Sequence, residues 1–189
     1  MRRLAFLVLA ISLALCGCSD AHHGEEMMTE FSESVALAQS IELQAEISAD
    51  IGGKDFDFTV LYTKNTQEER VEVISPENIA GISAVIHDGG ASLHYDDLIL
   101  AVGSITQNGV SPMSAITLAL SAVGHGNFSA VRAESDEETD MTAADFFLSD
   151  TQSVTVYLDK DAIPKYITIS ENGKTVAECE ILSFSMSSE

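Results

Sequence analysis

Residues 40–65 read SIELQAEISADIGGKDFDFTVLYTKN. Ile41, Leu43, Ala45, Ile47, Ala49 and Ile51 alternate strictly with Glu42, Gln44, Glu46, Ser48 and Asp50. Successive side chains of a strand point to opposite faces, so this period of two predicts a strand with one buried and one wet face. The GGKD turn then returns the chain, and Phe56, Phe58, Val60 and Tyr62 fall on one side with Asp55, Asp57 and Thr59 on the other. A polar face on each strand and a short connection between them predict an antiparallel hairpin.

The pattern continues on both sides. ERVEVISP (69–76) is a third strand ending at Pro76, which has no N–H to give a ladder. GISAVIH, the DGG turn and ASLHYDDLILAVG (91–103) predict another hairpin, with Leu93 and Tyr95 on one face. Upstream, Met27, Phe31, Val35 and Ala38 recur at helical spacing in MMTEFSESVALA, with Glu30 and Glu33 facing away. Downstream, VSPMSAITLALSAVGHG (110–126) carries Ser111 as a cap, Pro112 for the first turn and Gly124 for the end. Met113, Ile116, Leu120 and Val123 form one apolar face of that helix and three alanines broaden it, so it must lie against apolar surface. FSAVRAE, TAADFFLS, SVTVYLDK, KYITISENG and KTVAECEILSFS are strands, with turns at DKDAIP and ENGK and a solvated acidic loop at ESDEETD (134–140). The predicted order is helix, five strands, helix, then about five strands: an α+β fold with one large antiparallel sheet and two helices.

The chain opens with MRRLAFLVLAISLALCGC. Arg2 and Arg3 precede an apolar run from Leu4 to Leu15 that is shorter than the roughly 20 residues needed to span a bilayer, which predicts a secretory signal peptide. Cleavage before Cys18 places Leu15, Cys16 and Gly17 at positions −3 to −1, a bacterial lipoprotein box; cleavage before Cys16 would put bulky Leu15 next to the bond. Cys18 is therefore the expected lipidated residue. Residues 1–17 are the expected signal peptide, 18–26 a lipidated tether and 27–189 one domain. Two acyl chains such as palmitate, at about 0.8 kcal/mol per buried CH₂, would anchor the protein stably to a bacterial membrane on its extracytoplasmic side. The remaining thiol, Cys179, shares its strand face with Ala177 and Ile181 and reads as a buried hydrophobe rather than a nucleophile.

Thirty acidic residues against nine basic ones give a formal net charge of −21, and loss of Arg2 and Arg3 with the leader lowers it further. Such a surface repels nucleic acid and anionic headgroups, so membrane attachment must come from lipid rather than from a basic patch. The absence of Trp argues against a carbohydrate-stacking module. His22 and His23 are adjacent and lack converging ligands, while His87, His94 and His125 match no zinc spacing. ESDEETD lacks the alternation and central glycine of a calcium loop, and the chain has no phosphate-binding loop or nucleophile elbow. No cofactor or metal is implied, and the reading is of a binding protein rather than an enzyme.

Three segments, FTVLYTKNTQEERVEVISPENIAGISAVIHDGGASLHYDDL, SPMSAITLAL and VTVYLDKDAIPKYITIS, resemble the LolA-like and LppX-like lipoprotein carriers. The resemblance is nearest to the GerS-type lipoproteins of spore-forming bacteria and covers roughly residues 40 to 186. It implies an incomplete, curved β-barrel with two helices covering its concave face, and a cavity between them that accepts acyl chains in carrier members. Candidate lining residues are Phe56, Phe58, Val60, Tyr62, Leu93 and Tyr95 from strands and Met113, Ile116 and Leu120 from the helix; the alternative is that they close into a solid core. LolA-type carriers also hold their lid shut with an inward arginine. Arg70 is the basic residue near that place, but it shares a face with Glu72 and is expected to point outward. Two functions follow: a membrane-anchored lipoprotein that binds or carries an acyl chain or lipid, or a GerS-like interaction lipoprotein that binds an envelope partner such as a peptidoglycan hydrolase.

Overall fold

The structure, a computed structural model, describes residues 19–50, 53–87, 90–103, 110–135 and 140–188. The expected signal peptide, Cys18 and the centre of the acidic run lie outside them. Eleven strands form one antiparallel sheet in two meanders. The first is β1 (Ser40–Asp50), β2 (Asp55–Lys64), β3 (Glu69–Ser75), β4 (Ser83–His87), β5 (Gly90–Tyr95) and β6 (Leu98–Gly103). The second is β7 (Phe128–Ser135), β8 (Asp140–Phe147), β9 (Gln152–Leu158), β10 (Pro164–Glu171) and β11 (Lys174–Ser187). The spatial order is β6-β5-β4-β3-β2-β1-β11-β10-β9-β8-β7, so β1 and β11 join the meanders at the centre and the sheet stays open, with β6 and β7 as its edges.

The first meander has six strands rather than five. Asp96 adopts a positive φ of 48° and with Asp97 makes a tight turn inside ASLHYDDLILAVG, which splits the expected single strand into β5 and β6. An Asp pair tolerates the left-handed region because its short polar side chain can bond locally. The ENGK turn behaves as its residues predict: Asn172 and Gly173 both have positive φ, as a two-residue hairpin of matching twist requires, and Glu171 faces Lys174.

Helix α1 spans Ser19–Leu37 and α2 spans Pro112–Gly124. The first begins eight residues ahead of the expected Met27, so residues 19–26, expected as a flexible tether, are helical. Gly24 explains why this turn docks: it is buried, and a Cβ there would lie 3.0 Å from Val131 Cγ1 and 3.3 Å from Thr142 Cγ2. Met28, Phe31 and Val35 form the buried stripe of α1, continued by Ala38 just past its end, with Met28 rather than Met27 at full depth. At the start of α2 the Ser111 N–H donates to Ser114 Oγ at 2.9 Å, and Pro112 follows the cap. Ser32 Oγ of α1 donates to the carbonyl of Val123, tying the two helices together.

The sheet curves around α2. That helix, about 20 Å long at 1.5 Å per residue, touches β2 and β3 on one side and β8 and β10 on the other. From β3 to β8 a flat sheet would span roughly 29 Å at about 4.8 Å per strand. Ile41, Leu43, Ala45, Ile47 and Ala49 of β1 pack beneath the helices, joined by Val60, Tyr62, Val71, Val154, Val156, Ile167, Ile169, Ala177 and Cys179. The fold is thus α+β, an open, curved antiparallel sheet with two helices over its concave face.

Candidate functional site

The alternation that builds β2 carries its apolar residues from the centre of the sheet out to its rim. Val60 is fully buried under the helices, and Tyr62 sits one step further along at the seam between sheet and helices. Register then places Tyr62 opposite Val71 and Lys64 opposite Glu69. The Tyr62 hydroxyl donates to the Glu69 carboxylate; burial first, then the negative charge of Glu69 and this hydrogen bond, push the phenol well above its ordinary range. Tyr62 therefore holds its proton at any physiological pH.

A pocket of about 320 Å³ opens at this seam. Its apolar walls are Val35 of α1, Ile41 of β1 and Leu120 of α2. Lys64, Glu69, Thr117, Ser121 and His125 line it as well. His125 is the residue after α2, and its Nδ1 lies 2.5 Å from the Ser121 carbonyl, which fixes the ring at the pocket mouth. Thr117 Oγ1 is buried and has no hydrogen-bond partner. A buried hydroxyl without a partner costs about 1–3 kcal/mol, and this one is closed off from the pocket space as well as from other polar side chains. The arrangement can hold a molecule with an apolar portion against Val35, Ile41 and Leu120 and a polar group within reach of Lys64, Ser121 or His125.

The nine residues expected to line a cavity are dispersed by the fold. Tyr62 and Leu120 meet in the pocket. Val60 and Ile116 lie deeper, fully buried in the core, with Phe58 and Met113 half-buried against it. Phe56 stands opposite Ala49 near the β1–β2 turn, beyond the cover of the helices, and is exposed. Leu93 and Tyr95 lie on β5 beside the free edge, away from the seam. Sequence reasoning missed Lys64, Glu69, Thr117, Ser121 and His125. Thr117 and Ser121 are the visible signal, two of only three polar residues in a largely apolar helix. Arg70 pairs with Thr63 and Val85 on the convex face and bonds Ser83 Oγ at 2.9 Å, so it takes no part in the seam.

Among the described residues no group of three or more His, Cys, Asp or Glu is placed to hold a metal ion. No helix among them is long and apolar enough to cross a membrane.

No family model matches the chain, and no curated protein does. Among solved structures it is similar to a putative outer membrane lipoprotein-sorting protein domain from Vibrio parahaemolyticus, at 10% identity and a TM-score of 0.48, covering 88% of this chain and 93% of that one. It is also similar to a LolA superfamily protein from Nitrosomonas europaea, at 10% identity and 0.46, covering 86% and 93%. A third similar structure is the Mycobacterium tuberculosis lipoprotein LppX, at 12% identity and 0.41, covering 84% and 94%. These neighbours are LolA- and LppX-type proteins; they do not bear on the narrower likeness to GerS-type lipoproteins. At such identities the likeness concerns architecture, and no ligand is transferred by it.

Proposed function

We propose that the protein is an extracytoplasmic lipoprotein, anchored through acylated Cys18, that binds a single-chain amphiphile such as a fatty acid at the seam between α1, α2 and β1–β3. The observation that carries this reading is the pocket of about 320 Å³ at the helix–sheet seam, where apolar Val35, Ile41 and Leu120 stand beside polar Lys64, Ser121 and His125. A volume of about 320 Å³ is at the low end for ligand pockets, which suits one chain end and not a multi-acyl lipid. The acyl end lies along Leu120, and the polar head meets Lys64, Ser121 and His125, while the Glu69 carboxylate is engaged by the Tyr62 hydroxyl. No step of this reading requires catalysis.

A second reading, an interaction lipoprotein that binds an envelope partner, is favoured by a separate observation. The concave face directly beneath α2 is filled: Ile116, Ala119, Val60, Val71 and Ile169 are fully buried. The two readings part on one substitution. Ser121 is exposed at the pocket mouth, so Ser121→Trp fills the pocket without opening the core. For the amphiphile reading, this variant keeps the wild-type melting temperature within a few degrees and loses at least tenfold in affinity for a fluorescent fatty acid. Unchanged probe binding, or no binding by the wild type, rejects it in favour of the interaction reading.

A further inference from the structure

The two edges of the sheet are treated differently. At β7, α1 lies alongside the strand, Gly24 packs on Val131, and Arg132 is paired with Glu134 at 2.6 Å and Asp145 at 2.9 Å. Charges and a covering helix are the usual protection of a strand edge. Among the described residues, edge strand β6 has neither. Its sequence, LILAVG, contains no charged residue. Leu98, Ile99 and Leu100 are 72%, 70% and 63% exposed.

Exposure falls on both faces of this strand. Leu98 and Leu100 stand opposite Tyr95 and Leu93, whereas Ile99 stands opposite His94 on the other side. A continuous apolar run is the pattern of a strand covered on both faces and paired on both edges. Here, among the described residues, it is the last strand of the sheet. The turn that feeds β6 supplies two exposed acids, Asp96 and Asp97, on a chain whose net charge is −21.

We infer that β6 is a docking edge for an extended segment of another protein, apolar at alternate positions and flanked by lysine or arginine. The segment adds a twelfth strand: its backbone takes the free ladder groups, its apolar side chains cover Leu98 and Leu100 or Ile99, and its basic flank meets Asp96 and Asp97. Charge selects this occupant over a second copy of the chain. Two molecules of charge −21 repel, whereas a basic segment is drawn to the turn and reaches it faster. The inference is independent of the helix–sheet pocket.

The test uses the full chain in phosphatidylcholine nanodiscs and three labelled ten-residue peptides: an alternating Val/Thr core flanked by lysines, the same core flanked by glutamates, and the lysine form with a central proline. Fluorescence anisotropy is expected to show binding of the lysine peptide, at least tenfold weaker binding of the glutamate peptide and none of the proline form. Hydrogen exchange of residues 98–103 should slow only when the lysine peptide is present. The Asp96→Asn/Asp97→Asn variant, which removes both charges but keeps a residue that tolerates the left-handed turn at 96, should weaken binding of the lysine peptide at least several-fold. The inference is overturned if the lysine peptide fails to bind, if protection appears elsewhere in the sheet, or if both flanks bind equally. It is also overturned if residues 98–103 are already protected without peptide, with sedimentation then separating a dimer from cover by the chain's own residues. Loss of fatty-acid binding in Ser121→Trp leaves all these outcomes unchanged, so failure here and failure of the pocket reading are distinct results.

Discussion

Cys179 shows how a single register position determines chemistry. It faces Ile47 on one side and Ile167 on the other beneath the helices. Burial, reinforced by Glu178, pushes its thiol from 9.0 up to about 12. A thiol reagent at pH 8 should therefore label the native protein no faster than the protein unfolds, and prompt labelling would contradict this. The same shift makes a pH prediction. The folded thiol stays neutral while the unfolded one ionises, so its contribution to stability is complete below pH 9 and is lost as pH rises towards 12. Wild-type stability should fall over that window relative to Cys179→Ala, measured by urea titration at each pH. Burial of Cys179 was legible because Ala177 and Ile181 share its parity. The pocket was less so: Tyr62 and Leu120 follow from alternation and helical spacing, but Lys64 and Glu69 meet only through the β2–β3 register, which no local pattern encodes. Phe56 and Tyr95 have the right parity for the concave face, yet lie where no helix covers it.

At the scale of elements, sequence pattern was most reliable where periodicity was long. All of β1 and the apolar face of α2 follow it, and the Asn172-Gly173 hairpin follows from turn chemistry. The start of α1 did not, because SDAHHGEE has no apolar stripe; its cue is the absence of a side chain at Gly24, which lets the helix approach β7 and β8. Gly24→Leu should push this turn away and destabilise the domain by about 1–3 kcal/mol, the usual range for overpacking. Hydrogen exchange is expected to show residues 19–26 losing protection while Met28–Leu37 keep theirs. Retained protection throughout would mean that the contact with Val131 does not hold the turn. The split between β5 and β6 was hidden for a similar reason, since Asp96-Asp97 inside an apolar stretch reads as a polar pair on a strand until its backbone reverses.

For the whole molecule, helix docking so close to residue 18 bears on anchoring. The proposed lipid on Cys18 would be followed directly by α1, with about 7.5 Å of helix from Ser19 to docked Gly24 at 1.5 Å per residue. The domain would then be held close to the bilayer by its β7–β8 side. Cys18→Ala should abolish incorporation of radiolabelled palmitate and leave the protein unprocessed or released from membranes; continued labelling would assign the acyl chains elsewhere. A last consequence follows from the pairing of β1 with β11, where Ser40 faces Ser187 across almost the entire chain. The central ladder of the sheet cannot form until the final strand is available, and contacts of such high sequence separation fold slowly. During synthesis the amino-terminal meander has no partner for its inner edge. The domain therefore completes its architecture only once its carboxyl end is available, which suits the export through a secretion channel that the proposed lipoprotein would require.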